Sequence, residues 1–240
     1  TDPASTDEAR HIAADLWTLV QVIESTDRRL IGHGIRTAQY AILLGDALGW
    51  PAQDMNDLCL AGLLHDIGRL TVPAAILEKD GPLTDEEYAL VQSHPRAGSA
   101  LIESIPCLRT ASVWIAHHHE RWDGFGYPYG LHGPLIPLGA RLLAVADTFD
   151  ALMTGQPYRP AQQLPDAIQL IKLLAGSQLD PELVDVFVRL PPLKQPARTE
   201  LATNVPEVDC AAASPDGRAF VPPPLPSVFS SPGVKDEQER

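Results

Sequence analysis

Residues 63–70 read LLHDIGRL. His65 and Asp66 stand side by side in an apolar run, about 100° apart in projection if the run is helical. A carboxylate in such a setting is costly to bury unless it is paired or bound to a cation. Taken alone, the doublet fits a solvated helix edge, a buried His–Asp pair or two metal ligands. The rest of the chain has to choose among these.

The doublet lies in a segment, MNDLCLAGLLHDIGRL, that is one of a series with helical periodicity. STDEARHIAADLWTLVQVIEST carries Ile12, Leu16, Leu19, Val20 and Ile23 at helical spacing, with Thr6 or Asp7 as cap. A second helix runs from about Gly34 to Leu48, turns Ile35, Ala38, Ile42 and Leu43 inward, and stops at Gly49-Trp50-Pro51. TDEEYALVQSH opens on Thr84 with Glu87 three residues on, the pattern of a capping box. Further helices are expected over 97–104, 108–119, 136–153, 164–176 and 181–190. Alternating β-branched residues are scarce, so the sequence predicts an all-α fold.

The composition changes near residue 190. Ten of the 23 prolines fall in 191–240, in PPLKQP, VPPPLP and SPGVKDEQER. The expectation is a domain over 1–190 and a Pro/Ser-rich disordered tail over 191–240. The net charge is -13, and residues 1–190 hold 13 Lys+Arg against 24 Asp+Glu. Such a field repels polyanions, so long nucleic acid is not an expected partner; an anionic substrate would need local cations, which bound metal ions provide. Three scattered cysteines, Cys59, Cys107 and Cys210, form no CxxC pair and favour a reducing cytoplasm. No apolar run approaches the roughly 20 residues of a membrane span, and TDPASTDEAR has no signal-peptide layout. The missing initiator Met points to a piece of something longer, with an upstream sensor or receiver domain removed.

Other ligand-type residues accompany the doublet. His33 stands near the start of the second helix, His94 lies in SHPRAG, and Asp147 sits inside the apolar run AVADTFDAL. Residues 117–128 read HHHERWDGFGYP, which adds His118 and His119. Imidazoles and carboxylates without thiolates suit iron, manganese, zinc or nickel rather than calcium. Several helices each turning one or two ligands inward is how helical bundles build two-metal sites.

On these residues the chain resembles a known family. His33, the His65-Asp66 doublet and Asp147 are similar to the pattern of the HD-domain metal phosphohydrolases. His94, HHERWDGFGYP and DTFDAL…PYRP make the resemblance specific to the HD-GYP subfamily over about residues 10–190. It implies an all-α HD-domain helical bundle with an irregular GYP loop. It implies a phosphodiesterase that opens cyclic di-GMP to linear pGpG, with GMP following if cleavage continues. One ion would be held by His33, His65, Asp66 and Asp147, a second by His94, His118 and His119, with Asp66 bridging and iron or manganese favoured. Two ions roughly 3.5–4 Å apart can share a hydroxide and neutralise charge on a phosphate during in-line displacement.

The resemblance also assigns catalytic roles to His65, Asp66 and Arg69, and substrate contacts to Arg69, Tyr127, Asp150 and Arg159. For Asp150 a place behind the ligands is the alternative, and for Tyr127 core packing. His117 is expected outside the ligand set, Trp122 in packing, and Glu120 and Asp123 on ligand imidazoles or bracing the turn. Three positions depart from the pattern: Arg69 replaces a lysine, Gln156 replaces an arginine before PYR, and Arg29 stands where some members place a Glu for a third metal. A two-metal site is therefore expected. Expected partners are cyclic di-GMP or pGpG, and a homodimer is a candidate assembly. Two other functions stay open: a degenerate module that binds metal or nucleotide and signals through partners, and an HD phosphohydrolase for another nucleotide.

Overall fold

The structure is a computed structural model that describes residues 17–25, 27, 30–79, 81–154 and 161–191. Its helices follow in the order α1 (17–25), α2 (His33–Ala47), α3 (Ala52–Leu64), α4 (Ala74–Leu77), α5 (Asp85–Gln92), α6 (His94–Ile102), α7 (Arg109–His117), α8 (Leu138–Thr154), α9 (Leu164–Leu173) and α10 (Pro181–Phe187). Single 3-10 turns occupy Ile67–Thr71, Pro106–Leu108 and Gly133–Leu135. The β structure among the described residues is one bridge between Ala175 and Leu179, so the chain is all-α. None of these helices is long and apolar enough to cross a membrane. The expected Thr6 or Asp7 cap and the tail over 192–240 lie outside the described residues.

Helix α2 packs on α3 and α8, and α7 packs on α3, α6 and α8. Leu44, Leu58, Leu60, Leu64, Ile115, Leu142, Leu143 and Phe149 fill the space between them. On α2 the buried face runs through Ile35, Ala38, Ala41 and Leu44; Ile42 and Leu43, expected inside, are only partly buried. The capping box of α5 forms as read: Thr84 Oγ1 accepts from the Glu87 N–H, and the Glu87 carboxylate accepts from the Thr84 N–H.

Two helices end earlier than expected. The third helix, expected through Leu70, stops at Leu64, so Asp66 lies in the turn beyond it. The cause is close packing: a Cβ on Gly68 would come within 1.9 Å of the His94 carbonyl oxygen. A straight continuation could not bring the chain that near to α6. Helix α7 likewise ends at His117, which leaves His118 and His119 in the following turn. Helix α6 instead starts earlier than expected, at His94, with Pro95 in the first turn where no N–H is needed.

The α2–α3 crossing is equally tight. A Cβ on Gly62 would lie 2.5 Å from Ala38 Cα, and one on Gly34 2.9 Å from the Leu63 carbonyl oxygen. This contact brings the start of α2, and His33 with it, beside the end of α3. Gly62→Ala should therefore lower stability by about 1–3 kcal/mol through overpacking, despite the better helix propensity of Ala. Gly81 has nothing within 4 Å of a Cβ, so Gly81→Ala should stay within about 0.5 kcal/mol of wild type. Denaturant midpoints that shift equally in the two variants would show that this crossing is not close-packed.

Candidate metal centre

The tight crossings bring together side chains that the sequence separates widely. His33 Nε2 lies 3.1 Å from His65 Nε2 and 3.2 Å from Asp147 Oδ1. Across the centre, His94 Nε2 lies 3.4 Å from His118 Nε2, and the rings of His118 and His119 are 4.0 Å apart. Two trios can each hold a metal ion: His33, His65 and Asp66, and His94, His118 and His119. Asp66 reaches both, with Oδ2 3.7 Å from His65 Nε2 and Oδ1 3.3 Å from His94 Nε2. All seven residues expected as ligands thus converge.

The hydrogen bonds fix how the imidazoles present themselves. Nδ1 of His65, His94 and His118 lies 2.6–2.8 Å from the carbonyl oxygens of Gly62, Val91 and Ile115. A carbonyl only accepts, so each Nδ1 carries a proton and each ring turns its Nε2 into the centre. At 3.4 Å the Nε2 lone pairs of His94 and His118 face each other without a proton between them. Two nitrogens on one ion at about 2.1 Å would be about 3.0–3.4 Å apart for right-angled to tetrahedral geometry, which is the spacing found here. Asp66 Oδ2 is buried without a hydrogen-bond partner. Facing lone pairs and an orphaned carboxylate oxygen are what a cation would satisfy, so the donor set fits metal ions.

Charge is distributed unevenly over the centre. Burial, then the neighbouring imidazole His94, pushes the His119 pKa down to about 3. Burial holds His118 well below the ordinary histidine range and also lowers His94. His33 goes the other way: burial opposes its charge, but hydrogen bonds to Asp147 and Asp150 prevail and raise it to about 10. Burial also works against the Asp66 carboxylate, yet Arg69 and the surrounding imidazoles hold it well below the usual range.

Around these groups lies a cleft of about 550 Å³, with His33, Arg69, His118, His119 and Asp147 in its lining. Arg69 Nε donates to Asp66 Oδ1 at 2.7 Å, and Nη1 lies 3.8 Å from Asp27. Lys79 and Arg121 also border the cleft, but each is paired with an acid, Glu87 and Asp123. The Tyr127 ring lies 5.0 Å from that of His119, a packing contact against a candidate ligand. Glu120 is buried and accepts from the N–H groups of Tyr129 and Leu131, so it braces the GYP loop rather than a ligand imidazole. Asp123 likewise holds the Phe125 N–H. His117 bonds the Val113 carbonyl away from the centre.

One expected substrate contact needs correction. Asp150 is fully buried, and both of its oxygens are taken: Oδ2 accepts from His33 Nδ1 and Arg36 Nη2, Oδ1 from Arg36 Nε. A carboxylate so enclosed has no face for a nucleotide; it stands behind His33. Arg36 was missed in the sequence, although its place one helical turn after His33 puts it on the same side of α2. Arg29, Gln156 and Arg159 lie outside the described residues.

Comparisons with known proteins agree with this geometry. The family model described as HD domain matches residues 18–183. The cyclic di-GMP phosphodiesterase response regulator RpfG of Xanthomonas campestris is 35% identical over 176 residues, covering 72% of this chain and 47% of its own length. Among solved structures, a cyclic GMP-AMP specific phosphodiesterase of V. cholerae, V-cGAP3, superposes with a TM-score of 0.62 at 21% identity, over 84% of this chain and 54% of its own. Bd1817, described as an HDG"Y"P protein from Bdellovibrio bacteriovorus, does so with a TM-score of 0.54 at 23% identity, over 68% and 52%. The chain spans about half the length of these relatives. At such identities the solved structures speak for the fold, while the family match and the HHERWDGFGYP segment speak for kinship: the chain belongs to the HD domain family, and within it to the HD-GYP type.

Proposed function

We propose that this protein is a metal-dependent phosphodiesterase that opens a cyclic dinucleotide, cyclic di-GMP, to linear pGpG. The observation that carries the proposal is Asp66, a buried carboxylate within reach of both imidazole groups and unpartnered at Oδ2. His33, His65, Asp66 and Asp147 would hold one ion, and His94, His118 and His119 the other, with Asp66 shared. When bound, such ions act as Lewis acids on phosphoryl oxygens and make water nucleophilic at neutral pH. Iron or manganese is the pair of metals we favour, from the family resemblance.

The protein's own groups prepare the site. Neutral His94, His118 and His119 present lone pairs without competing protons. Arg69 fixes Asp66 on one side and borders the cleft on the other, so its guanidinium is our candidate phosphate contact. The cleft volume lies within the range of small-ligand sites, about 300–1,000 Å³. By resemblance Tyr127, which packs beside His119, is a candidate base contact, and Arg159 a further phosphate contact. We also favour a reducing cytoplasmic setting. A second substrate is favoured by a specific observation, since V-cGAP3 is named for cyclic GMP-AMP.

Incubation of metal-loaded protein with cyclic di-GMP, 3′3′-cyclic GMP-AMP, pGpG and single-stranded RNA separates these possibilities by their products. We expect pGpG from cyclic di-GMP and little cleavage of RNA. Comparable RNA cleavage would overturn the substrate class. Tight binding of cyclic di-GMP without turnover by fully loaded protein would support a signalling module instead.

Arg69→Ala should lower kcat/KM roughly ten- to a hundredfold, the worth of a charge-assisted hydrogen bond of about 1.5–3 kcal/mol. Arg159→Ala should do the same without changing metal content. Steady-state kinetics matching wild type at equal metal loading would remove either residue from the substrate site.

A further inference from the structure

We propose that Arg36 is a positioning residue: acting through Asp150, it fixes the His33 imidazole and makes the His33–His65–Asp66 side the tighter, first-filled half of the metal centre. The proposal rests on the metal-dependent function above and concerns which residues grade the two sites.

The argument begins with how each imidazole is held. His65, His94 and His118 each donate Nδ1–H to a carbonyl three residues back, a bond supplied by the local chain. His33 is the first residue of α2, directly after Gly32 in the left-handed conformation at φ 70. Its Nδ1 is paired with a side chain rather than with a carbonyl three residues back. The fold substitutes a carboxylate from α8: His33 Nδ1 donates to Asp150 Oδ2 at 2.7 Å, across 117 residues of sequence.

That carboxylate needs a holder of its own. Asp150 is fully buried, and Arg36 binds it with a planar fork, Nε to Oδ1 at 2.6 Å and Nη2 to Oδ2 at 3.1 Å. The same guanidinium donates from Nη1 to the Ile31 carbonyl at 3.1 Å, which ties it to the turn that precedes His33. Arg36 does not line the cleft, so its reach to the centre runs through Asp150 and the Ile31 carbonyl.

The consequence is a difference between the two halves. A carboxylate behind a histidine makes it a better metal ligand than a carbonyl does, and it fixes ring orientation. The His33 half also has Asp147 Oδ1 at 3.2 Å from His33 Nε2, whereas His94, His118 and His119 are three imidazoles. Opposite charge thus gathers on one side. The two ions should bind in sequence rather than together.

Calorimetric titration of metal-free protein with manganese, with free Mn(II) followed by electron paramagnetic resonance, tests this directly. Wild type should show two steps of different affinity. Arg36→Gln should weaken the tighter step roughly ten- to a hundredfold and leave the second unchanged. Arg36→Lys keeps the charge but not the fork, so it should fall between them. With both sites saturated, the KM for cyclic di-GMP should match wild type. Unchanged isotherms in both variants would overturn the proposal, and so would equal weakening of both steps. If Arg36→Gln does not fold, Arg36→Lys decides alone, and a wild-type isotherm then overturns it. Wild-type protein that takes up no manganese would defeat the metal-dependent function as well, which distinguishes the two failures.

Discussion

The centre depends on one buried anion. Asp66 is almost fully buried, and a lone carboxylate there would be strongly unfavourable. Its charge is kept by Arg69 at 2.7 Å and by the imidazoles around it. The backbone is shaped to deliver it: α3 stops at Leu64, the chain tightens into a 3-10 turn, and Gly68 lets that turn press against His94. Replace the turn by a straight helix and the carboxylate no longer reaches α6. The two imidazole groups would then lose the carboxylate they share.

Holding such a centre together uses a division of labour between backbone and side chains. Where a ligand histidine lies beyond a helical turn, the local carbonyl orients it. For His33 a distant side-chain pair takes over. Glu120 plays a comparable part for the GYP loop, gathering the N–H groups of Tyr129 and Leu131 on one buried carboxylate. The loop is also joined to the segment before α10, since Trp122 and Asp123 donate to the Gln178 and Ser177 carbonyls. These contacts leave the ligand rings little freedom, as metal chemistry requires.

The sequence made much of this legible, for physical reasons. Helical periodicity marked α2, α3 and α8, because burial selects apolar residues at that spacing, and the capping box marked α5. His33, His65, Asp66, His94, His118, His119 and Asp147 stood out as polar groups in apolar surroundings or within a specific motif. Helix ends were harder. Periodicity continues smoothly past Leu64, and the break there comes from contact with another helix, which no local pattern records. Arg36 was hidden for the same reason: its pairing with Asp150 spans 114 residues, and alone it looks like an ordinary charged residue.

Anomalous diffraction at the metal edge, on crystals grown from anaerobically reconstituted protein, tests the central claim most directly. Two peaks should appear, one among His33, His65 and Asp147 and one among His94, His118 and His119, with Asp66 in contact with both. A single peak at full occupancy, or two of which Asp66 touches only one, would contradict the account.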